Sequence, residues 1–84
     1  MNYEQIEEIV KKNRSKTAVF VINFKTRSPI KGMFIETTDY RELSRKNLWR
    51  IVHENHLEEY AQSQNEALAR IFNGVEFTRL QLAQ

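Results

Sequence analysis

Residues 17–24 read TAVFVINF, and residues 30–37 read IKGMFIET. Both stretches are rich in β-branched and aromatic side chains and are too short for typical buried helices, so each is predicted to form a strand. The polar residues 25–28 and Pro29 make a short turn between them, which predicts antiparallel pairing. Gly32 weakens the second strand locally, but it also permits a sharp bend or the close approach of another backbone.

A helix is predicted on the amino-terminal side of these strands. Asn2 and Gln5 have the spacing of a capping box, and the apolar residues that follow place a helix at about 3–13. This helix is expected either to cover one face of the strands or to present four basic side chains to a polyanion. Those side chains are Lys11, Lys12, Arg14 and Lys16.

A third strand is predicted after a polar connection. Residues 39–46 are expected to form that connection, with one helical turn around Leu43. The strand follows at 47–53, where Trp49 is expected to anchor the core. Residues 54–65 are predicted to form either a short exposed helix or an acidic loop.

Two short strands are predicted at the carboxyl end, at about 67–72 and 75–82. Asn73-Gly74 separates them and is the strongest short hairpin signal in the chain. One helix followed by five short antiparallel strands predicts a mostly β fold, a strongly bent small barrel over about 17–82. The apolar edges of such a barrel favour homo-oligomeric closure into a ring by edge-strand pairing.

The composition limits the chemistry that this chain can perform. With 84 residues the chain is predicted to be one domain, 1–84, and its two glycines cannot form the usual phosphate-binding loops. No cysteine is present, which excludes thiolate catalysis and cysteine-based metal sites. The His53-Glu54-Asn55-His56 run lacks metal-ligand spacing. We therefore expect no enzyme activity, no catalytic residue, no metal and no cofactor.

Hydropathy predicts no contact with a membrane. The longest unbroken apolar run, Ala18 to Ile22, has five residues, whereas a membrane span requires about 18 or more. Glu4, Glu7 and Glu8 occupy the positions where a signal peptide would be basic or apolar. The expected location is the cytoplasm.

The net charge of +2 hides a strongly uneven distribution. Residues 11–50 carry 11 bases and three acids, a net charge of +8, while the segments before and after them carry −3 each. This clustering is either a solvated mixed surface or a positive patch for a polyanion, most often nucleic acid.

Several of these residues together resemble the Sm-like family, the ring-forming RNA-binding proteins that include bacterial Hfq, archaeal Sm-like proteins and spliceosomal Sm proteins. Residues 19–24 and 30–34 are similar to the strand, loop and apolar-x-Gly-x-apolar strand of the first Sm motif. Residues 72–80, with Phe72-Asn73-Gly74, are similar to the second motif. Longer spacings after Gly32, and Asn73 where the family usually has Arg, mark a divergent member.

The resemblance implies a single-stranded RNA site near the pore of a ring. The implied site and the phosphate-binding side chains beside it are Asp39, Tyr40, Arg41, Arg45, Lys46, Asn47, Asn73 and Gly74. In this hypothesis Tyr40 stacks on a base, Asn47 and Asn73 read base edges, and the bases of the connecting loop contact phosphates. Tyr40 has the alternative of covering the core, and Asn73-Gly74 of being only a turn.

Two functions remain open from the sequence. The first is non-catalytic binding of single-stranded RNA by a homo-oligomeric ring, with a role in RNA regulation or processing. The alternative is an oligomeric protein-interaction or assembly module on the same barrel without nucleic acid. The acidic segment 54–66 and the absence of the family's base-stacking Arg before Gly74 favour the second function.

Overall fold

The computed structural model describes residues 1–13 and 18–83, and over these ranges it contains three α-helices and five strands. The helices are α1 (Tyr3–Lys12), α2 (Tyr40–Arg45) and α3 (Leu57–Ser63). The strands are β1 (Phe20–Phe24), β2 (Ile30–Phe34), β3 (Leu48–His53), β4 (Ala69–Asn73) and β5 (Phe77–Leu82). The predicted helix followed by five strands is therefore confirmed.

The amino-terminal helix begins with the predicted capping box. The Gln5 amide donates to Asn2 Oδ1 at 2.8 Å, and the Asn2 amide donates to Gln5 Oε1 at 3.1 Å. Ile6 and Val10 are buried, so α1 covers the core. The helix ends at Lys12 and Asn13 caps it, close to the predicted end.

The basic end of α1 is exposed and is partly neutralised by its own helix. Lys11 Nζ lies 3.4 Å from Glu7, and Lys12 Nζ lies 3.3 Å from Glu8, both at i,i+4 spacing. The other bases predicted for this surface, Arg14 and Lys16, lie outside the described residues. Of the predicted basic surface, the structure therefore describes only Lys11 and Lys12, and both are ion-paired.

All five strands form one antiparallel sheet in the order β4-β3-β2-β1-β5. The predicted hairpin between the first two strands is confirmed, with Phe20 opposite Gly32 and Ile22 opposite Ile30. Within the described residues β1 begins at Phe20, and the predicted start at Thr17 lies outside them. The second strand ends at Phe34, three residues before its predicted end.

The predicted hairpin at Asn73-Gly74 is wrong. β4 pairs with β3, and β5 pairs with β1, so the two strands lie at opposite edges of the sheet. Residues 74–76 form a 3₁₀ turn, and Gly74 does not have the positive φ that a tight hairpin of this type requires. The chain crosses from one edge to the other through this turn.

The sheet bends strongly but is not closed into a barrel. The rings of Phe24 on β1 and Phe72 on β4 have centroids 5.9 Å apart, although two strands lie between them in the sheet. In a flat sheet such strands would be about 14 Å apart, so the sheet must curl to bring these rings together. Over the described ranges no ladder joins β4 to β5, and the predicted barrel is found as an open sheet.

Large apolar side chains from α1 and the sheet fill the concave side. Trp49 is buried and packs edge-on against Phe34 with the ring centroids 5.8 Å apart, which confirms its predicted place in the core. The other buried side chains of this cluster are Ile6, Val10, Phe20, Ile22, Ile30, Ile51, Phe77 and Leu80. Full burial of a side chain of this size contributes roughly 1.5–3 kcal/mol.

Gly32 makes the predicted close approach possible. A Cβ at this position would lie 2.5 Å from Ile51 Cγ2 and 2.9 Å from the carbonyl oxygen of Val52. Both atoms belong to β3, in which His53 is the pairing partner of Gly32 on β2. The missing side chain therefore allows β3 to pack closely against β2 at the bend.

The acidic segment after β3 is helical. A 3₁₀ turn at Glu54–His56 leads into α3, in which no residue is buried, so the helical alternative of the prediction is the correct one. Across residues 1–13 and 18–83, none of the helices combines the length and the apolar character needed to cross a membrane.

Candidate nucleic-acid interface

The acidic residue of the predicted site is held in a local ion pair. Arg50 on β3 donates to both oxygens of Asp39, from Nη2 to Oδ2 at 2.9 Å and from Nε to Oδ1 at 3.3 Å. The Thr37 hydroxyl donates to the same Oδ1. The Arg50 hydrogen bonds, followed by that of Thr37, lower the pKa of Asp39 from 3.8 to about 2. Asp39 thus fixes the start of α2 to the sheet.

Tyr40 lies against the core. Its ring packs edge-on against Trp49 with centroids 6.0 Å apart, and the residue is half-buried. The ring that the predicted stacking needs is therefore partly engaged with protein. This position agrees with the alternative in which Tyr40 covers the core.

Asn47 ends α2 and uses its side chain inside the protein. Its φ of 62° is in the left-handed region, which asparagine tolerates better than most residues and which commonly terminates a helix. Its Nδ2 donates to the Met1 carbonyl at 2.8 Å, and its Oδ1 accepts from Trp49 Nε1 at 2.8 Å. The predicted base-reading amide is thus engaged on both its nitrogen and its oxygen.

Asn73 and Gly74 have structural partners as well. Asn73 Oδ1 accepts from the Val75 amide at 3.0 Å and caps the 3₁₀ turn. Gly74 is buried, and its amide donates to the Asn47 carbonyl at 2.8 Å. The structure therefore brings Asn47 and Gly74 together, as a packed junction between the end of α2 and the turn before β5.

The predicted phosphate-binding residues are exposed on or just after α2. Arg41 and Arg45 are one helical turn apart, so they lie on one side of this short helix. Lys46 follows and lies 3.6 Å from Glu42 at i,i+4 spacing. Asp39 and Tyr40 are at the opposite end of α2, which separates them from Arg45 and Lys46.

An open depression of about 500 Å³ lies beside Arg45 and Lys46. Its other charged side chain is that of Lys25, from the turn after β1. Within the described part of the chain neither Lys25 nor Arg45 forms an ion pair, which leaves both cations available to an anion. The walls also contain Met1, Asn2, Tyr3, Asn47 and Val75.

Two apolar side chains of the depression face solvent. Tyr3 is 37% exposed and Val75 is 52% exposed. The sequence assigns Lys25 only to the turn at residues 25–28, and it does not indicate that Tyr3 is exposed. Only the inclusion of Lys25 in the basic segment 11–50 pointed toward this surface.

The histidines near the end of β3 contact residues of their own segment. His53 Nδ1 accepts from the Asn55 amide at 3.1 Å, and His56 Nδ1 lies 3.9 Å from Glu59. Among the described residues no three His, Cys, Asp or Glu side chains are grouped so that they would hold a metal ion.

No protein-family model matches this chain, and no curated protein or solved structure is significantly similar to it. The resemblance to the Sm-like family thus stays a prediction from the residues that carry it.

Proposed function

We propose that this protein binds single-stranded RNA without catalysis, as a divergent Sm-like protein that acts as a homo-oligomer. The observation that carries the proposal is the open depression that Lys25, Arg45 and Lys46 line together with the exposed Tyr3. The proposed site keeps the basic residues of the predicted site and leaves out Asp39, Tyr40 and Asn73. It adds Tyr3 and Lys25, which line the same depression.

The charges of this surface suit a phosphate backbone. Lys25 and Arg45 are free of carboxylate partners within the described ranges, and Lys46 has only an exposed pairing with Glu42. Exposed ion pairs of this kind contribute little free energy, so an RNA phosphate competes readily with Glu42 for Lys46. Arg41 extends the basic surface along α2. Binding through such contacts weakens as salt concentration rises, because it releases counterions from the RNA.

The apolar part of the surface suits an unpaired base. An exposed tyrosine ring beside cations is the combination that single-stranded nucleic-acid sites use, since bases stack on the ring while the cations hold phosphates. Tyr3 supplies the ring and Val75 the adjacent apolar surface. Stacking alone favours no particular base.

Self-association is part of the proposal. β4 and β5 lie at opposite edges of the sheet, and each pairs with a neighbour on one side only. Ile71 on β4 and Leu82 on β5 are 48% and 46% exposed. Pairing of β4 from one copy with β5 of the next would cover both edges and repeat the weak RNA site around a ring, which raises overall affinity.

Titration of fluorescent uridine-rich and adenine-rich oligonucleotides tests RNA binding. We expect the triple variant R41Q/R45Q/K46Q to lose affinity by at least about tenfold and to have a shallower salt dependence, since three phosphate contacts are removed. The variant K11Q/K12Q/K31Q is the matched control, because it removes three exposed charges elsewhere and should bind like wild type. Binding that is insensitive to salt, or equal losses in both variants, would contradict the proposal.

The second candidate function is an assembly module that uses the same edges without nucleic acid. The observation that favours it is the exposure of apolar side chains on both edge strands, Ile71 and Leu82. In this case R41Q/R45Q/K46Q should assemble like wild type, and no oligonucleotide should bind even at low salt.

A further inference from the structure

A second cleft lies between the β1–β2 turn and the β4 edge. Its volume is about 570 Å³, within the range of small-molecule sites. The walls come from Phe24 and Arg27 at the turn, His53 at the end of β3, and Arg70 and Phe72 on β4. The cleft does not share a lining residue with the basic depression beside Arg45.

The exposed Arg27 side chain lies over aromatic rings and not against a carboxylate. Its guanidinium carbon lies 5.1 Å from the centroid of Phe24 and 5.8 Å from that of Phe72. Stacking of this kind orients the guanidinium while it leaves the N–H donors available. Within residues 1–13 and 18–83 Arg27 has no ion pair.

Two more donors line the cleft. Arg70 is exposed on β4 and, like Arg27, has no ion pair among the described residues. The Nδ1 of His53 accepts from the Asn55 amide, so the neutral imidazole carries its proton on Nε2, which remains able to donate. Two guanidinium groups and an imidazole N–H form a donor set for a phosphate dianion, which guanidinium binds in a bidentate manner.

The remaining walls indicate what the anion is attached to. Glu76 lines the cleft, and its carboxylate accepts hydrogen bonds, as from a sugar hydroxyl, but repels a bare anion. Leu68 and Phe72 add apolar surface to the cleft. The cleft thus has cationic donors, a carboxylate and apolar side chains. A ligand that contacts all three has a phosphate, hydroxyl groups and an apolar or aromatic part.

We propose that this cleft binds the phosphate monoester of a mononucleotide-sized ligand, with the phosphate between Arg27 and Arg70 and a sugar hydroxyl on Glu76. The proposal concerns binding only and involves no covalent step. It does not depend on the RNA site beside Arg45. The ligand is either a free nucleotide or the phosphorylated end of an RNA, which present the same chemistry.

Two-dimensional NMR titration with UMP, uridine and inorganic phosphate tests the donor set. We expect UMP to shift the amides of residues at the cleft with a Kd on the order of 1 mM or tighter. Uridine and inorganic phosphate should each bind at least about tenfold more weakly, because each lacks part of the ligand. Equal binding of UMP and uridine, or of UMP and phosphate, overturns the proposal, as does an absence of shifts at the cleft.

Single-residue variants distinguish UMP binding at the cleft from a general effect of the protein's positive charge. R27Q and R70Q should each weaken UMP binding by about tenfold, while K31Q, an exposed charge outside the cleft, should not. R27Q could lose binding because it perturbs the packing of Phe24 and Phe72, so R70Q serves as a second, independent variant. Circular dichroism checks that both variants are folded. Wild-type affinity in folded R70Q overturns the proposal.

Competition identifies the source of the phosphate. If 5′-phosphorylated oligouridine displaces UMP but the 5′-hydroxyl oligomer does not, the ligand is an RNA end, and if neither displaces UMP, it is the free nucleotide. If both oligomers displace UMP equally well, the cleft does not recognise a phosphate monoester, and the proposal is overturned. R41Q/R45Q/K46Q should bind UMP like wild type, so failure at this cleft is distinguishable from failure of the RNA proposal.

Discussion

The carbonyl oxygen of Asn47 accepts a 2.8 Å hydrogen bond from the Gly74 amide, and the Asn47 side chain occupies the space that a Cβ at Gly74 would need. Both residues were predicted to contact RNA. In the structure they join the end of α2 to the turn before β5, and the side-chain oxygen of Asn47 also accepts from Trp49 Nε1. This junction fixes one wall of the basic depression, because Asn47 and Val75 line it.

The substitution Gly74→Ala should destabilise the protein by about 1–3 kcal/mol, since the new methyl group forces atoms of a packed site to move. It would meet the Asn47 amide and Ile6 Cδ1, both held in place by surrounding structure. Urea unfolding measures the effect. A double-mutant cycle with Asn47→Gly gives the control, because G74A should cost less once the amide is absent. An equal cost in both backgrounds would show that the two residues do not compete for space.

Replacement of Asn47 should separate its backbone role from its hydrogen bonds. N47G and N47A both remove the bonds to Met1 and Trp49, which we expect to cost about 1–3 kcal/mol. N47A should be less stable than N47G by about 1 kcal/mol, because alanine is strained at a φ of 62°. Thermal unfolding compares the variants, and the indole N–H resonance of Trp49 should shift in both. The reverse order of stability would refute the backbone role.

Acid should weaken the Asp39–Arg50 pair within a defined window of pH. Because the pKa of Asp39 is about 2 in the folded protein and 3.8 in its unperturbed state, the pair contributes its full stability above pH 3.8. That contribution is lost as the pH falls from 3.8 through about 2, where the folded carboxylate takes up its proton.

Carbon-detected NMR of the Asp39 carboxyl group measures this titration directly. Unfolding experiments on D39N supply the control, since the stability difference between wild type and D39N should shrink over the same range of pH. A carboxyl group that titrates near 3.8 would show that Arg50 and Thr37 do not stabilise its charge.

Lysine on either edge strand should prevent self-association. I71K and L82K each place a charge on an edge that the proposed pairing buries, so both should elute as monomers while wild type forms an oligomer. Q62K on the exposed face of α3 is the matched control and should assemble normally. Size-exclusion chromatography with light scattering measures the state, and a monomeric wild type would contradict edge pairing.

Mixing the two edge variants gives a sharper test of the same pairing. I71K retains an intact β5 and L82K an intact β4, so a mixture can form one normal interface between them. We expect a heterodimer from the mixture and none from either variant alone. Failure of the mixture to associate would mean that β4 does not pair with β5.

Local patterns determined the elements of this protein. The Asn2 and Gln5 capping box sets the start of α1, because a cap depends only on residues one helical turn apart. The hairpin of β1 and β2 and the place of Trp49 in the core were also predictable, because a short connection and apolar alternation act over few residues. These features need no knowledge of distant contacts.

The tertiary structure decided how those elements combine. Asn73-Gly74 has the sequence of a hairpin, yet β4 and β5 lie at opposite edges of the sheet, because β4 pairs with β3 and β5 pairs with β1. Strand partners far apart in sequence are chosen by the whole sheet, and a dipeptide does not encode them.

The same distinction applies to the candidate sites. The sequence indicated Arg45 and Lys46, because exposed charge is a local property, but not that Lys25 lies beside them. Likewise it presented the Asn47 amide as available, whereas folding places it against Met1 and Trp49. Residue types alone determined which chemistry this protein can offer. Only the tertiary contacts decided which polar groups remain free to bind, because a hydrogen bond made inside the protein removes that group from a ligand.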